Sequence, residues 1–322
     1  VKLTRILIVG LLAVGLLAGC GQVPEAPVGL SQFTDSGIDP NSWARVPAGI
    51  FLTGQYDLQV DLDYEYEIMV TEVTNAQYAQ FLNEALAAGV VRIAPGDTID
   101  GYDHLKGGAI RYEGNAVFGH YEGDEYNSGR HEEKIPAGDY VLFPFEDIAS
   151  RINFDGSRFT VKEYYENHPV TMVSWFGAKA YADFYGYRLP TELEWEKAAR
   201  GMDDNRPYAW GDLEDKRAAS FYKYGNPFQT KNGWTDTAPV GFYNGKTYGN
   251  YQTIDAKSPY GVYDMNGNVA EWVGDIWLEL HDRVFKGGHK NTYAIDGRVW
   301  KRNSAPPQYV SPNVGFRCVR DI

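Results

Sequence analysis

The sequence predicts an α+β fold that is loop-rich, with few short helices and strands. Three observations carry that expectation. One stretch alternates cleanly with a period of two, and two segments open with capping-box spacing. The composition has 35 Gly, 24 Tyr, 15 Phe and 8 Trp in 322 residues, so aromatics are expected to fill irregular gaps between loops. With 43% hydrophobic and 23% charged residues the chain can bury a large core and is not a disordered one.

The alternation comes first. Leu58, Val60, Leu62, Tyr64, Tyr66 and Ile68 alternate with Gln59, Asp61, Asp63, Glu65 and Glu67, which predicts one long half-buried strand. Thr74 and Gln77 then have capping-box spacing, and Tyr78, Phe81, Leu82 and Ala85 recur at i, i+3, i+4 and i+7, so a helix starts there. A second helix is expected from Ser174 to Tyr185, with Gly186 just past its end. A third opens at Thr191, where Glu194 completes another capping box, and Gly201 ends it. Its Leu193 and Trp195 can pack, and Arg188 or Arg200 is expected to close a buried ion pair. The remainder reads as short strands and long loops without an internal repeat. One domain over 43–322 therefore fits better than two.

Residues 92–160 are rich in Gly, Asp and Tyr, either an insertion or a few edge strands. They hold His104, His120 and His131 among Glu122, Asp124, Glu125, Glu132 and Glu133, but without HxH or HxxxH spacing. A solvated loop is expected there rather than a transition-metal site. The formal charge of −13 argues against non-specific nucleic-acid binding, which lysine and arginine drive by neutralising phosphates. Two cysteines cannot build a disulfide framework, and no CxxC pair is present.

Ahead of the domain, Lys2 and Arg5 precede an apolar run from Ile6 to Ala18. The run is shorter than the roughly 20 residues of a membrane-spanning helix and suits a signal-peptide core. Leu17-Ala18-Gly19-Cys20 resembles the bacterial lipobox, in which the cysteine is lipidated and becomes the first mature residue. The expectation is a lipoprotein signal peptide over 1–19 and a tether over 20–42 containing Pro24, Pro27 and Pro40. The domain would then be extracytoplasmic, held to the cell envelope of a bacterium by the lipid on Cys20, at the outer membrane where there is one. Several acyl chains anchor stably because each buried methylene contributes about 0.8 kcal/mol.

Within the domain a set of motifs accumulates in one order. They are Val46-Pro47-Ala48-Gly49; Val73-Thr74-Asn75; Asn167-His168-Pro169-Val170 with Val173-Ser174-Trp175; Arg188-Leu189-Pro190-Thr191-Glu192 to Ala199-Arg200-Gly201; and Ala209-Trp210-Gly211. Then come Tyr260-Gly261-Val262-Tyr263-Asp264-Met265-Asn266-Gly267-Asn268-Val269 with Glu271-Trp272; Lys286-Gly287-Gly288; and Asn313-Val314-Gly315-Phe316-Arg317-Cys318. This order resembles the formylglycine-generating enzyme, or sulfatase-modifying factor, family across essentially the whole domain. The resemblance implies a C-type-lectin-like fold with little regular secondary structure.

The resemblance also implies an oxidase that holds copper between two cysteine thiolates, separated by four residues shortly after the Gly-Gly turn. Thiolate is the soft ligand that selects Cu(I). From Gly287 to Trp300 this chain has no cysteine, so no copper and no formylglycine-generating activity are expected. The family's iron-dependent sulfoxide synthases need an additional helical domain with an HxxxH motif, which is missing as well. Calcium is a separate matter. Asp264, Asn266, Asn268 and Glu271 place oxygen donors close together, as a hard cation requires. The family's structural calcium loop carries over onto Asp264, the backbone of Gly267 and Val269, and Glu271. Its other calcium site falls on Asn232, the backbone of Trp234, and near Ser220 and Phe221.

The leading reading is a non-catalytic, lipid-anchored binding or scaffold protein, with His289, Tyr293, Trp300, Arg302 and Tyr309 as the expected binding surface. A metal-dependent enzyme with altered chemistry, built on His289 with Asp275 or Asp296, is the alternative. A second alternative is a diversified lectin-fold ligand-binding protein. Beyond the membrane reached through Cys20, the sequence names no partner.

Overall fold

The structure, a computed structural model, describes residues 35–96, 114–124, 135–202, 204–229, 234–277 and 282–322. The expected signal segment, Cys20, and most of the tether lie outside them. The same holds for Asn232, His104, His131, Glu125, Glu132 and Glu133.

The first strands are β1 (Trp43–Val46), β2 (Gly49–Thr53), β3 (Leu58–Leu62) and β4 (Tyr66–Met69). The single strand expected over Leu58–Ile68 is therefore two. β3 pairs antiparallel with β2, whereas β4 pairs with β1. The period of two reports side-chain alternation, which persists through the break, and says nothing of which neighbour accepts the hydrogen bonds. On the apolar side Leu62, Tyr66 and Ile68 are buried, whereas Leu58 and, at the break, Tyr64 are exposed.

α1 (Asn75–Ala87) starts where the capping box puts it. Gln77 N–H donates to Thr74 Oγ1 at 3.2 Å and Thr74 N–H donates to Gln77 Oε1 at 2.9 Å. Tyr78, Phe81, Leu82 and Ala85 are its buried stripe. The stretch between the first two helices is not featureless. It contributes β5 (Val91–Pro95), β6 (Asn115–Tyr121) and β7 (Gly138–Phe143) as one antiparallel sheet, then the hairpin of β8 (Ile152–Phe154) and β9 (Phe159–Val161). His120 lies on β6 and faces Asp139, 3.2 Å from Nδ1.

α2 (Trp175–Phe184) is capped by Ser174, whose Oγ accepts the Gly177 N–H at 3.0 Å. α3 (Glu192–Arg200) has the Thr191–Glu194 capping box. Arg188 and Arg200 both close ion pairs, where one or the other is expected. Arg188 grips Glu194 with two 2.7 Å bonds, and the buried Arg200 meets Glu196 and Asp57. After the small hairpin of β10 (Thr247–Tyr248) and β11 (Tyr251–Gln252) come β12 (Ala270–Trp277), β13 (Asp282–Lys286), β14 (Arg302–Ala305), β15 (Val314–Phe316) and β16 (Val319–Asp321). The largest sheet has the order β14-β13-β12-β15, and β16 completes a sheet with β4 and β1.

β12 separates two cores. Trp272 belongs to the cluster of Tyr78, Phe81, Phe143, Trp175, Tyr181 and Phe316, while Val273, next along the pleat, belongs to that of Phe51, Tyr66, Trp195 and Val284. Between the cores sits a fully buried charge pair. Arg317 donates to Glu271 from Nε at 2.6 Å and from Nη2 at 2.7 Å, and the Trp195 indole N–H adds a third bond to the carboxylate at 2.8 Å. The remaining guanidinium donors reach the carbonyls of Met69, Val70 and Tyr263. A buried ion pair persists only when its leftover donors and acceptors are satisfied in this way.

Candidate functional site

The turn at Gly287-Gly288 fixes the geometry of the region where the resemblance puts copper. Both residues have positive φ, and a Cβ on Gly288 would come 2.8 Å from the Gly297 Cα, so the backbone returns across the turn in near contact. His289 is partly buried; its Nδ1 accepts the Asn291 N–H at 3.2 Å. Burial, with Lys290 beside it, brings the imidazole down to about 4, so it is neutral at pH 7. Neither Asp275 nor Asp296 is its hydrogen-bond partner. Asp275 accepts the Glu192 N–H at the start of α3, and Asp296 is exposed in the turn Ala294–Gly297. Lys290 is buried, with its Nζ on the Pro312 carbonyl and on Asn313 Oδ1; burial brings it down to about 8. Cys318, the one thiol among the described residues, is sealed in the first core, where burial pushes it well above its usual range.

The loop from Asp264 to Glu271 is a hub of internal hydrogen bonds. Asn266 Oδ1 accepts the Ala209 N–H and its Nδ2 donates to the Gly297 carbonyl; Asn268 Oδ1 accepts the Ala238 N–H and its Nδ2 donates to Glu72 Oε1. The Gly267 N–H reaches the Gly287 carbonyl at 2.8 Å and the Asn268 N–H the Ser220 carbonyl at 3.0 Å. The loop thus ties the Gly-Gly turn to the Ser220-Phe221 segment. Two of the four oxygen donors counted in the sequence serve backbone amides, and Glu271 serves Arg317 and Trp195. Among the described residues no group of three or more His, Cys, Asp or Glu side chains is arranged around a metal position.

Asp264 is different. It accepts the Gly241 N–H at 2.5 Å and lies against Glu72, whose Oε2 is buried with no hydrogen-bond donor. Burial, aided by the neighbouring carboxylates, pushes Glu72 well above the usual range and Asp264 up to about 6. Three carboxylates, Glu72, Asp264 and Glu271, share the single guanidinium of Arg317. The charge shortfall accommodates a proton on Glu72 or a cation against Asp264. The sequence reading missed Glu72, because nothing local marks a glutamate 192 positions before Asp264 as its neighbour (Asn268, in the same loop, is 196 from it).

The expected binding residues do not form one surface. Tyr293 is 60% exposed, whereas Trp300 packs against the second core under Arg200 and Arg298. Arg302 is held by Glu192 at 3.0 Å and lies over Trp277, and Tyr309 packs against the first core beside Trp272. Tyr293 has other company. Its ring meets Tyr222 edge-on at 5.5 Å, and Tyr222 lies 6.0 Å from Trp234, itself 57% exposed. Lys223 Nζ lies 5.0 Å from the Tyr222 ring, and the Tyr222 N–H donates to the Thr292 carbonyl. Three loops thus present two exposed rings, Trp234 and Tyr293, on either side of the half-buried Tyr222. Phe221, by contrast, points fully into the interior.

Residues 34–322 match the model of the sulfatase-modifying factor enzyme 1-like domain. The chain belongs to that family. It is similar to the formylglycine-generating enzyme of Mus musculus, 37% identical over 176 residues, a match spanning 48% of this chain and 45% of the mouse protein. It is similar over a longer stretch to the formylglycine-generating enzyme of Bos taurus, 29% identical over 313 residues, 88% of this chain and 75% of the bovine one. The structure of PvdO from Pseudomonas aeruginosa superposes with a TM-score of 0.50 at 20% identity, covering 87% of this chain and 94% of that one, which shows a shared fold. The fold is thus the α+β, C-type-lectin-like one of the sulfatase-modifying factors.

Proposed function

We propose that this chain is a lipid-anchored, extracytoplasmic binding protein that uses the sulfatase-modifying-factor scaffold without the oxidase chemistry. The observation that carries the reading is the donor set after Gly287-Gly288. The imidazole of His289 is turned to a backbone amide, Lys290 is an ammonium held by carbonyls, and no thiolate stands in the stretch through Trp300. Such a set offers Cu(I) no soft ligand. The cluster of Tyr222, Trp234 and Tyr293 supports a binding role, since rimmed aromatic patches mark interaction surfaces.

A calcium ion in this reading is held by Asp264 with the backbone carbonyls of Gly267 and Val269, beside the unpartnered oxygen of Glu72. Glu271 is already committed to Arg317 and Trp195. The ion would stiffen the hub loop rather than take part in a reaction. The second calcium site would draw on the backbone of Phe221 and Trp234 with Asn232, which lies outside the described residues.

The deciding experiment incubates the full chain, loaded with copper, with a peptide carrying the cysteine-containing motif of sulfatases and reads the product by mass spectrometry. Unmodified peptide is expected; formylglycine would overturn the proposal. Labelling with a radioactive fatty acid should mark the wild type and spare Cys20→Ser. Chelation should lower the melting temperature of the wild type but not of Asp264→Asn.

A further inference from the structure

A cavity of about 250 Å³ lies at the tip half of the β12–β13 hairpin, on the far side from the Gly-Gly turn. The hairpin is irregular there. Trp272 pairs with Phe285 and Ile276 with Arg283, so β12 carries extra residues around Gly274. Bulges of this kind re-aim side chains next to functional sites. Here the bulge places the Gly274 carbonyl within 3.3 Å of Arg283 Nη1.

Arg283 is the unusual member. Only 3% of it is exposed, its guanidinium lies 3.9 Å from the Trp175 ring centre, and its Nε is buried without an acceptor. Its one anionic partner among the described residues is Asp124, which also takes the Tyr121 hydroxyl. Burial brings the guanidinium down to about 10. The other walls carry Lys179 and Arg188, so among the described residues the cavity lining has three cationic side chains and one carboxylate. Lys179 is paired with Asp183 at 2.8 Å, a partly exposed pair and therefore a weak competitor for an incoming anion, whereas Arg188 stays committed to the buried Glu194 and to Asp321. Arg283 has no such relief from water: a buried guanidinium with an idle donor costs stability unless an anion completes its shell. The surplus positive charge is local, in a chain whose overall formal charge is −13.

We infer that this cavity is a binding site for a small organic carboxylate, held by the idle Arg283 Nε–H and by Lys179, with its apolar part against Leu189 and the rings of Tyr121 and Trp175. With Nη1 and Nη2 taken by the Gly274 carbonyl and Asp124, one oxygen of the ligand meets the idle Nε–H, and the apolar walls of Leu189, Tyr121 and Trp175 favour an anion with an apolar body over phosphate, which has none. The volume lies below the ~300–1,000 Å³ of drug-sized sites, which restricts the ligand to a single ring or a short chain. The site does not depend on what the Gly-Gly turn once bound.

The test uses the full chain and three probes: benzoate, its neutral isostere benzamide, and inorganic phosphate, each titrated by calorimetry and by thermal shift. Benzoate should bind, with benzamide and phosphate at least tenfold weaker. Lys179→Gln, a change at the partly exposed rim, should weaken benzoate about tenfold without lowering the melting temperature. Asp124→Asn, which removes the competing carboxylate, should tighten it severalfold, a gain that a purely structural role for Arg283 does not produce. Arg283→Gln should abolish binding; if that variant fails to fold, the other two decide. Equal binding of benzamide or phosphate, unchanged affinity in Lys179→Gln, weaker binding in Asp124→Asn, or no benzoate binding at 10-millimolar-scale concentrations (about the weakest affinity of interest) would each overturn the assignment.

Discussion

Acid should destabilise this protein through His168, acting in the same direction as His289. His168 is fully buried; its Nδ1 lies 2.8 Å from Thr237 Oγ1, and its Nε2 has no partner. The ring sits against Tyr165 and Phe228. Burial lowers it from an ordinary value of 6.5 to about 4, with Arg151 and Lys290 acting in the same direction and Asp236 opposing them. A histidine lowered on folding is neutral in the native chain while the unfolded chain takes up a proton. Stability is then full above about pH 6.5 and is lost as pH falls towards 4. The total is roughly 3 kcal/mol, of which about 2 kcal/mol disappears between pH 7 and pH 5. Glu72 and Asp264 work with the opposite sign. Their raised values stabilise the fold at low pH and cease to do so as pH rises through the folded values. The wild-type curve alone therefore mixes effects, and the diagnostic quantity is a difference. Urea unfolding of the wild type and of His168→Gln at pH 7, 6 and 5 should give a variant weaker at pH 7 by a constant offset, with the gap closing by about 2 kcal/mol at pH 5. Parallel curves would refute the reasoning.

Arg317→Leu leaves Glu271 buried between two cores with only the indole N–H of Trp195, and should cost about 3–5 kcal/mol in urea unfolding, part of which the double variant with Glu271→Leu recovers. Thr191→Ala removes the hydroxyl that accepts the Glu194 N–H and should cost about 1 kcal/mol by the same measurement. At Gly315 an added Cβ would lie 2.5 Å from the Val170 carbonyl oxygen, so Gly315→Ala should lower the melting temperature although it adds only a methyl group. Replacing Trp300 or Tyr309 by alanine should reduce stability, since each packs on a core, whereas Tyr293→Ala should leave the melting temperature within a degree or so of wild type (a surface change, roughly ±0.5 kcal/mol).

Local signals were legible in the chain and distant ones were not. Two of the helix starts follow from a hydroxyl and a carboxamide or carboxylate three residues apart, a geometry closed within one turn, the third from the Ser174 hydroxyl alone, and Gly186 and Gly201 stop two of the helices through positive φ. The order of motifs also carried the family. The break between Leu62 and Tyr66 was not legible, since alternation survives a change of partner strand. The same limit applies at the site. Glu271 was counted as a calcium donor because its sequence neighbours carry oxygen, while the group that occupies it, Arg317, comes from 46 residues further on. Tyr222 and Trp234 have no periodicity or spacing that joins them to Tyr293, and Arg283 gives no hint in the sequence that Asp124 lies 159 residues away on its guanidinium.

The sheet of β1, β4 and β16 sets the order in which this molecule can be finished. Arg320 reaches back 253 residues to Glu67, and Arg317 reaches back 248 residues to the Met69 carbonyl. During synthesis β4 therefore waits with one edge unpaired, and Glu271 waits without its counter-charge, until the closing strand arrives. Contacts this far apart in sequence form late and slowly, because the loop between them must be closed before they contribute anything. A nonsense codon at Arg317 would therefore produce no slightly shortened protein. It would produce a chain with an exposed strand edge and a stranded carboxylate, a substrate for proteases and for aggregation.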